Sequence, residues 1–529
     1  MDTAARLTMP WRLALAVVSG ALLALAFPPV GASILAPVAV AIFVVATYRT
    51  TVPRGVILGL IQGGLSFGIL LRWLSLVGTD AWILLVALCA AWIALVGAGQ
   101  ALVTRLRWWP LWVASVWVLQ EALRDRIPLG GFPWGRLAFA QTATTLTPWA
   151  AVAGAPAVTF ATALAGALLA FFGIALWRRG PGWRQWAAAA AGGVLIVGLA
   201  GLLIPRPVAG QSGEGPSETV AAVIQGGVPS TGISTVDERR AVLERHIRQT
   251  ILLAEDVAAG VAPQPDVVIW PENAVDIDPY RTPEIADAIT AAAGAVGSPI
   301  LIGAIIDAPG DPSMIANAGI VWDPVTGPGD AYLKRHPVPF GEFIPFRSLI
   351  APLVGRLDRI PRDMRAGDEP GVLRAGDVVI ADVICFEVAY DEVVRDAVTA
   401  GGRVIVVQTN NATFAGLGQP EQQVAMSRLR AIEHGRTVLV AATTGISAII
   451  GPDGSVVSEI PEGDAGYLID TVALRDSLTL ADRLGPAPEW IVAFLGAAAM
   501  LWAAARHREG VRVGHDRGRG VEQDGASTA

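Results

Sequence analysis

Val267-Val268-Ile269-Trp270-Pro271-Glu272-Asn273 is a β-branched apolar run that stops abruptly on a proline and a carboxylate. Branched side chains favour extended backbone, and Pro271 ends strand pairing and turns the chain. A second run, Val378–Ile384, stops in the same way on Cys385-Phe386-Glu387. Shorter runs of this kind lie at 220–224, 299–302, 404–407 and 438–441, with helical stretches at 237–259, 283–294 and 419–434. Strands alternating with helices predict a layered α/β domain. Gly451-Pro452-Asp453-Gly454, between apolar runs at 446–450 and 455–460, predicts a hairpin turn.

This domain takes in about 206–486, where charge returns to soluble density and no apolar run is long enough to span a bilayer. The rest of the chain differs. Only 16% of the 529 residues are charged, against about 25% in soluble proteins, and mean hydropathy is +0.52, which excludes a wholly soluble chain. A net charge of −7 offers no basic excess, so no nucleic-acid partner is expected. Residues 13–48 hold no Asp, Glu, Lys or Arg, and Pro28-Pro29 divides them into two runs; others lie at 55–71, 81–104, 108–120, within 137–177, at 185–205 and at 490–505. The expectation is a polytopic α-helical membrane domain of about eight spans in all: seven within 1–205 and a last one at 487–506, followed by a disordered cytoplasmic tail at 507–529. Pro28-Pro29 offers no small-x-small cleavage site, so the first run reads as retained rather than as a signal peptide.

Arginine marks the cytoplasmic ends of spans. Arg6 and Arg12, Arg49 and Arg54, Arg105 and Arg107, Arg178, Arg179 and Arg184, and Arg506 and Arg508 fall at alternate ends. Both termini are thus expected in the cytoplasm and 206–486 on the outer side. The loop carrying Arg124, Arg126 and Arg136 is the exception.

Lys334 is the only lysine, against 38 arginines. Arginine keeps its charge and presents a planar fork, whereas lysine offers a compact amine that burial retunes, so a lone lysine hints at a site needing that group; a solvated survivor is the plain alternative. Cys385 is the only cysteine in the outer domain and stands at a strand end, where a thiol is readily exposed to a cleft. The alternative is a buried structural thiol, the reading that suits Cys89 within a span. Two cysteines make no disulfide framework, no cluster has metal-ligand spacing, and neither cofactor nor metal is expected. If the strands ending at Glu272, Lys334 and Cys385 share one sheet, their carboxyl ends converge on one crevice. There a carboxylate takes the thiol proton and an ammonium stabilises a tetrahedral oxyanion, which is acyl transfer through a thioester. A Cys-His pair using His336 or His434 ranks below, since neither has an orienting motif.

Trp270-Pro271-Glu272, Tyr332-Leu333-Lys334-Arg335-His336 with Pro339-Phe340-Gly341-Glu342, and Ile384-Cys385-Phe386-Glu387 resemble the Glu-Lys-Cys signature of the nitrilase superfamily, which implies an αββα sandwich. With spans on both sides, the chain is similar to the membrane-embedded branch of that superfamily, the apolipoprotein N-acyltransferases. Ala26-Phe27-Pro28-Pro29, Phe67-Gly68 with Trp73, and Trp117, Glu121 and Arg124 ahead of Gly131-Phe132-Pro133-Trp134 and Gln141 match as well. The resemblance implies Glu272 as general base, Lys334 as oxyanion-stabilising ammonium and Cys385 as nucleophile, supported by Glu342 and Glu387, with Trp134, Arg136, Glu121 and Phe386 as candidates for substrate binding. It also implies a monomer in the bacterial cytoplasmic (inner) membrane. The sn-1 acyl chain of a phospholipid would pass through Cys385, by ping-pong kinetics, to the α-amino group of the N-terminal diacylglyceryl-cysteine of an apolipoprotein.

Arg124, Arg126 and Arg136 then become candidates to meet the donor phosphate at headgroup depth, and the apolar segments at 340–350 and 349–354 candidates for arms dipping into lipid. Three departures stand out. Many family members have Gln-Gly-Asn after the first strand and a tryptophan soon after, whereas this chain has Gln225-Gly226-Gly227 and Thr231-Gly232-Ile233-Ser234-Thr235; a tyrosine often found after the cysteine is Phe386. The rival readings are a membrane-tethered amidase that passes the thioester to water or ammonia, and a non-catalytic membrane scaffold or transporter. Transport predicts ionisable groups inside spans, which are nearly absent.

Overall fold

The computed structural model describes residues 7–205, 217–228 and 236–525. Arg6, the start of the outer domain at 206, the segment 231–235 and the last four residues of the tail lie outside the described residues. Each apolar run forms a helix: α1 (Met9–Leu25), α2 (Leu35–Thr47), α3 (Val52–Leu70), α4 (Thr79–Val103), α5 (Trp109–Arg124), α6 (Ala150–Arg178) and α7 (Trp183–Leu203) before the α/β domain. Among the described residues five helical stretches are long and apolar enough to cross a membrane: α3, α4, Thr147–Arg178, α7 and Ala487–His507. α1 and α2 are apolar but shorter, and α5, with 16 residues, carries Glu121 and Arg124 in its last turn. Small residues let helices touch: a Cβ on Gly97 would stand 2.1 Å from the Gly55 carbonyl oxygen, so α3 and α4 meet backbone to backbone.

The α/β domain comprises β1 (Glu218–Gln225), α8 (Val236–Ala258), β2 (Val267–Ile269), α9 (Pro283–Val296), β3 (Ile300–Ala308), β4 (Asp311–Asp323), β5 (Gly327–Leu333), α10 (Arg347–Ile350), β6 (Val372–Ala375), β7 (Val378–Ile384), α11 (Asp391–Thr399), β8 (Val404–Thr409), α12 (Gln419–His434), β9 (Val438–Ala442), β10 (Ser447–Ile450), β11 (Val456–Ile460) and β12 (Gly466–Ala473). They form two six-stranded sheets, ordered β12-β1-β2-β3-β4-β5 and β11-β10-β9-β8-β7-β6. In each, the central strands run parallel and antiparallel pairs close the edges. Val223, Ile269 and Leu301 of one sheet meet Ile380, Val406 and Leu439 of the other in a dry layer. α8 and α9 cover the first sheet, which gives the αββα sandwich.

The second sheet's outer face is covered differently. Val383, Val407 and Val440, with Met426 and Leu429 of α12, belong to one continuous apolar core with Phe43, Val113 and Val158 of the membrane helices and Trp134 of the loop after α5. α6 breaks at Gly154, whose φ is +72° and where a Cβ would stand 2.6 Å from Glu433 Oε1. Glycine there permits both the bend and the approach of α12. After α13 (Leu480–Leu484), the final helix α14 (Ala487–Gly525) runs past its apolar part. The tail expected to be disordered from 507 is therefore helical to Gly525, because extending an already nucleated helix costs far less than starting one.

Candidate active site

Glu272, Lys334 and Cys385 follow β2, β5 and β7, so two sheets contribute and their strand ends converge. Gly303 makes the first turn possible: a Cβ there would lie 2.4 Å from the Pro271 carbonyl oxygen. Glu272 is buried. Its Oε1 accepts from Lys334 Nζ at 3.1 Å and Asn317 Nδ2 at 2.7 Å, and its Oε2 from the Asn410 backbone N–H at 2.9 Å. Lys334 Nζ also donates to Glu342 Oε1 at 2.7 Å, and Glu342 Oε2 accepts from the Val338 N–H at 2.7 Å. Burial alone would lower the Lys334 pKa. Glu272 and Glu342 outweigh it and hold the ammonium charged, well above the usual lysine value.

Cys385 sits at φ +57°, a left-handed conformation uncommon for a side chain with a Cβ. The short 3-10 turn that follows is tied by Glu387, whose buried carboxylate accepts from the backbone N–H of Ile384 at 2.9 Å, Arg335 at 2.6 Å and His336 at 3.0 Å, and from the Tyr332 hydroxyl at 3.0 Å. Glu387 thus joins the cysteine turn to the lysine turn. Burial, and next the Glu272 carboxylate, push the Cys385 thiol up to about 12, against the pull of Lys334 and Thr409. Burial thus favours the neutral thiol, with the Glu272 carboxylate and the Lys334 ammonium among the groups that face it.

Tyr332, Asn317, Asn410, Thr409 and Gln423 were not expected here. Asn317 is a lone amide in the buried stretch Ala316-Asn317-Ala318, a signal that reading could have caught. Thr409 and Gln423 flank Sγ at 3.3 and 3.9 Å. His336 stacks on Tyr390 with ring centres 4.3 Å apart, and His434 Nδ1 pairs with Asp482 at 2.6 Å; among the described residues neither histidine bonds to Cys385.

Trp134 and Phe386 adjoin the site. Their rings stack at 5.8 Å and 11°, and Phe132 stacks on Phe386 at 5.7 Å, so a loop of the membrane helices lies against the residue after the thiol. Gln422 of α12 fastens this contact: its Oε1 accepts from Trp134 Nε1 at 2.7 Å and Trp73 Nε1 at 3.3 Å, and its Nε2 donates to the carbonyls of Pro28 at 3.2 Å and Leu70 at 3.1 Å.

Arg136 and Glu121 lie elsewhere, and the expected phosphate contact is corrected. Arg136 is 2% exposed and faces four carboxylates: Asp391 at 2.8 Å, Asp125 at 3.2 Å, Glu121 at 3.4 Å and Glu489 at 3.5 Å. Glu121 also accepts from the Leu137 N–H and the Thr159 hydroxyl at 2.8 and 2.7 Å. Arg124 is buried too and donates to the Trp134 carbonyl, and Arg126 pairs with Glu489 at 2.7 Å. The Arg136 guanidinium, out of water and enclosed by carboxylates, has no open face for an anion, whereas Arg126 stays partly exposed beside its one partner. These groups instead join α5, the following loop, α11 and α14. A cavity of about 310 Å³ at this seam is lined by Arg126, Asp391, Glu433, His434 and Trp490 and includes none of Glu272, Lys334 and Cys385.

The apolipoprotein N-acyltransferase N-terminal domain model matches residues 19–168, and the carbon-nitrogen hydrolase model matches 219–479. The apolipoprotein N-acyltransferase of Mycolicibacterium smegmatis is 38% identical over 505 residues, which cover 93% of this chain and 85% of that one. This chain belongs to the apolipoprotein N-acyltransferase family. The Photobacterium profundum relative of the same name is 27% identical over 90% of this chain and 92% of its own. Among solved structures, an amidase from a Nesterenkonia species is similar over 53% of this chain and 97% of its own, at 17% identity and a TM-score of 0.36.

Membership makes the chain an enzyme, an acyltransferase with a nitrilase-like domain. Its departures from the family pattern have local physical reasons. Gly227 has φ +78° and its N–H donates to the Thr443 carbonyl at 2.8 Å; a left-handed position is one that glycine and asparagine both accept. Phe386 packs its ring against Phe132, Trp134 and Tyr390.

Proposed function

We propose that this chain moves an acyl chain from a membrane phospholipid, through a thioester on Cys385, to the α-amino group of the N-terminal diacylglyceryl-cysteine of a lipoprotein. Glu272 takes the thiol proton as Sγ bonds to the ester carbonyl carbon. The oxygen gains charge facing the Lys334 ammonium. Collapse breaks the C–O bond, and the departing lysophospholipid alkoxide receives the proton from Glu272. The lipoprotein amine then attacks the thioester, yielding the amide and restoring the thiol. Glu342 holds Lys334, and Glu387 holds the turn that carries the thiol.

One observation carries this reading: a thiol, a carboxylate and an ammonium meet in a domain whose helix layer shares its core with membrane helices. Lifting a long acyl chain into water costs about 0.8 kcal/mol per CH₂, so a site fused to membrane helices suits lipid better than a small amide. Phe340, Phe346 and Leu349 project with 43, 72 and 69% exposure from the segment after Lys334, which suits arms that enter lipid rather than a core. The arginine pattern supports an extracytoplasmic active domain in the inner membrane with both termini in the cytoplasm, and a site assembled from one chain suits a monomer.

Intact-protein mass spectrometry after incubation with phospholipid tests the covalent step. The expected result is a mass gain of one acyl chain on the native protein, released by neutral hydroxylamine and missing from Cys385→Ser. Transfer by an enzyme that never shows the adduct would refute the thioester. An adduct discharged to water as fast as to amine would favour the amidase.

A further inference from the structure

Thr409 ends β8, and the pairing of Ile384 with Gln408 brings it beside Cys385. Its hydroxyl oxygen lies 3.3 Å from Sγ, 2.9 Å from Gln423 Oε1 and 3.4 Å from Asn411 Oδ1. A hydroxyl has one proton, so three acceptors compete for it. Gln423 Oε1 does not depend on that proton, because Asn411 Nδ2 donates to the same oxygen at 2.8 Å. Gln423 Nε2 is 3.9 Å from Sγ. Both residues are 1% exposed, so water does not compete for these donors. Among the described residues, they are the side chains that donate to the sulfur.

We propose that Thr409 is a further catalytic residue, whose hydroxyl turns from Gln423 Oε1 to Sγ whenever negative charge reaches the sulfur, with Gln423 Nε2 as the second donor. The proposal rests on Cys385 being the nucleophile. Charge reaches sulfur twice in that scheme. The first occasion is loss of the thiol proton to Glu272. The second is collapse of the thioester: the amine nitrogen bonds to the carbonyl carbon, the C–S bond breaks with its electron pair going to Sγ, and the proton lost by nitrogen passes to Glu272 and then to sulfur. Lys334 is engaged by Glu272 and Glu342 and faces the developing oxyanion. A neutral donor on another side of the sulfur stabilises the thiolate while leaving the ion balance of that cluster unchanged. The donor's support is rigid, since Gln422, the neighbour of Gln423, is fastened to Trp73, Trp134, Pro28 and Leu70.

Thr409→Val removes the hydroxyl at nearly constant shape, and Thr409→Ser keeps it. With the full chain in detergent, the rate of Cys385 alkylation by iodoacetamide is measured across pH, subtracting the Cys385→Ala background. Thr409→Val is expected to alkylate about tenfold more slowly at each pH and to slow aminolysis of the isolated acyl-enzyme by about the same factor, with Thr409→Ser restoring both. A purely structural role would lower thermal stability and leave the alkylation profile in place. Unchanged alkylation and aminolysis in folded Thr409→Val overturn the proposal. Should that variant not fold, Gln423→Met carries the test, with alkylation about threefold slower expected and an unchanged rate counting against it. Alkylation reads the acidity of the sulfur whether or not it ever carries an acyl chain, so failure here is distinct from an enzyme that forms no adduct.

Discussion

Replacing Lys334 with methionine is expected to cut acyl transfer on the order of a thousandfold and to destabilise the fold by about 3–5 kcal/mol. Lys334 is 1% exposed and lies between Glu272 and Glu342, at 3.1 and 2.7 Å. Without it, the buried Glu272 carboxylate and the largely covered Glu342 carboxylate face one another, joined by Asn317 at 2.7 and 3.2 Å. Like charges so placed do not both stay ionised, and the pair takes up a proton. The variant would then lack both the oxyanion's counter-charge and a free base. Thermal unfolding in detergent reads the loss of stability, and single-turnover formation of the acyl-enzyme reads the loss of catalysis. Lys334→Arg is not expected to restore activity, because a planar fork does not fit a gap shaped for one ammonium. Near-native acyl-enzyme formation by Lys334→Met would remove this residue from the mechanism.

Arg136→Met is expected to give a loss of similar size for a different reason. Its guanidinium satisfies both oxygens of Asp391 at 2.8 Å, and Asp391 is shared with Arg430 at 2.7 Å. Burial opposes ionisation of Asp391, yet Arg136 and Arg430 hold its pKa far below the usual carboxylate value. Removing one partner of a buried pair costs about 3–5 kcal/mol, a large share of the roughly 5–15 kcal/mol that holds a protein folded. The variant should melt earlier at neutral pH, and KM should change equally for donors differing only in headgroup. Unaltered melting together with a headgroup-dependent change in KM would reinstate the phosphate-binding role discarded above.

The contrast between these two residues shows what the sequence could convey. Lys334 was legible because it is unique in composition and flanked by a dense motif. Arg136 was misread because its partners Asp391 and Glu489 are 255 and 353 positions away, and nothing local reveals that pairing. The central strands β1, β2, β7, β8 and β9 were legible as continuous apolar runs, since both of their faces are covered. β5 was legible only as the strand that ends before Lys334: its first residues, Gly327-Pro328-Gly329-Asp330, form no apolar run, because β5 is an edge strand, where a proline without a donor is tolerated. Thr409, Gln423 and Asn410 are neutral groups with no compositional signature, and they gather only through the register of β7 with β8 and the placement of α12. Asp382 is a hidden case within a legible strand. It is fully buried between the sheets, a Cβ on Gly319 would lie 2.0 Å from its oxygen, and burial, then Glu387, push its pKa well above the usual range.

The core that runs without a break from the second sheet into the membrane helices also determines what can be cut out of this protein. Severing the chain between α7 and β1 would strip Met426, Leu429 and their neighbours of their cover and leave Gln422 without Trp73, Trp134, Pro28 and Leu70. Such a fragment would present a broad greasy face to solvent and clump. The bilayer half is thus a structural wall of the reactive half, and useful preparations have to carry both.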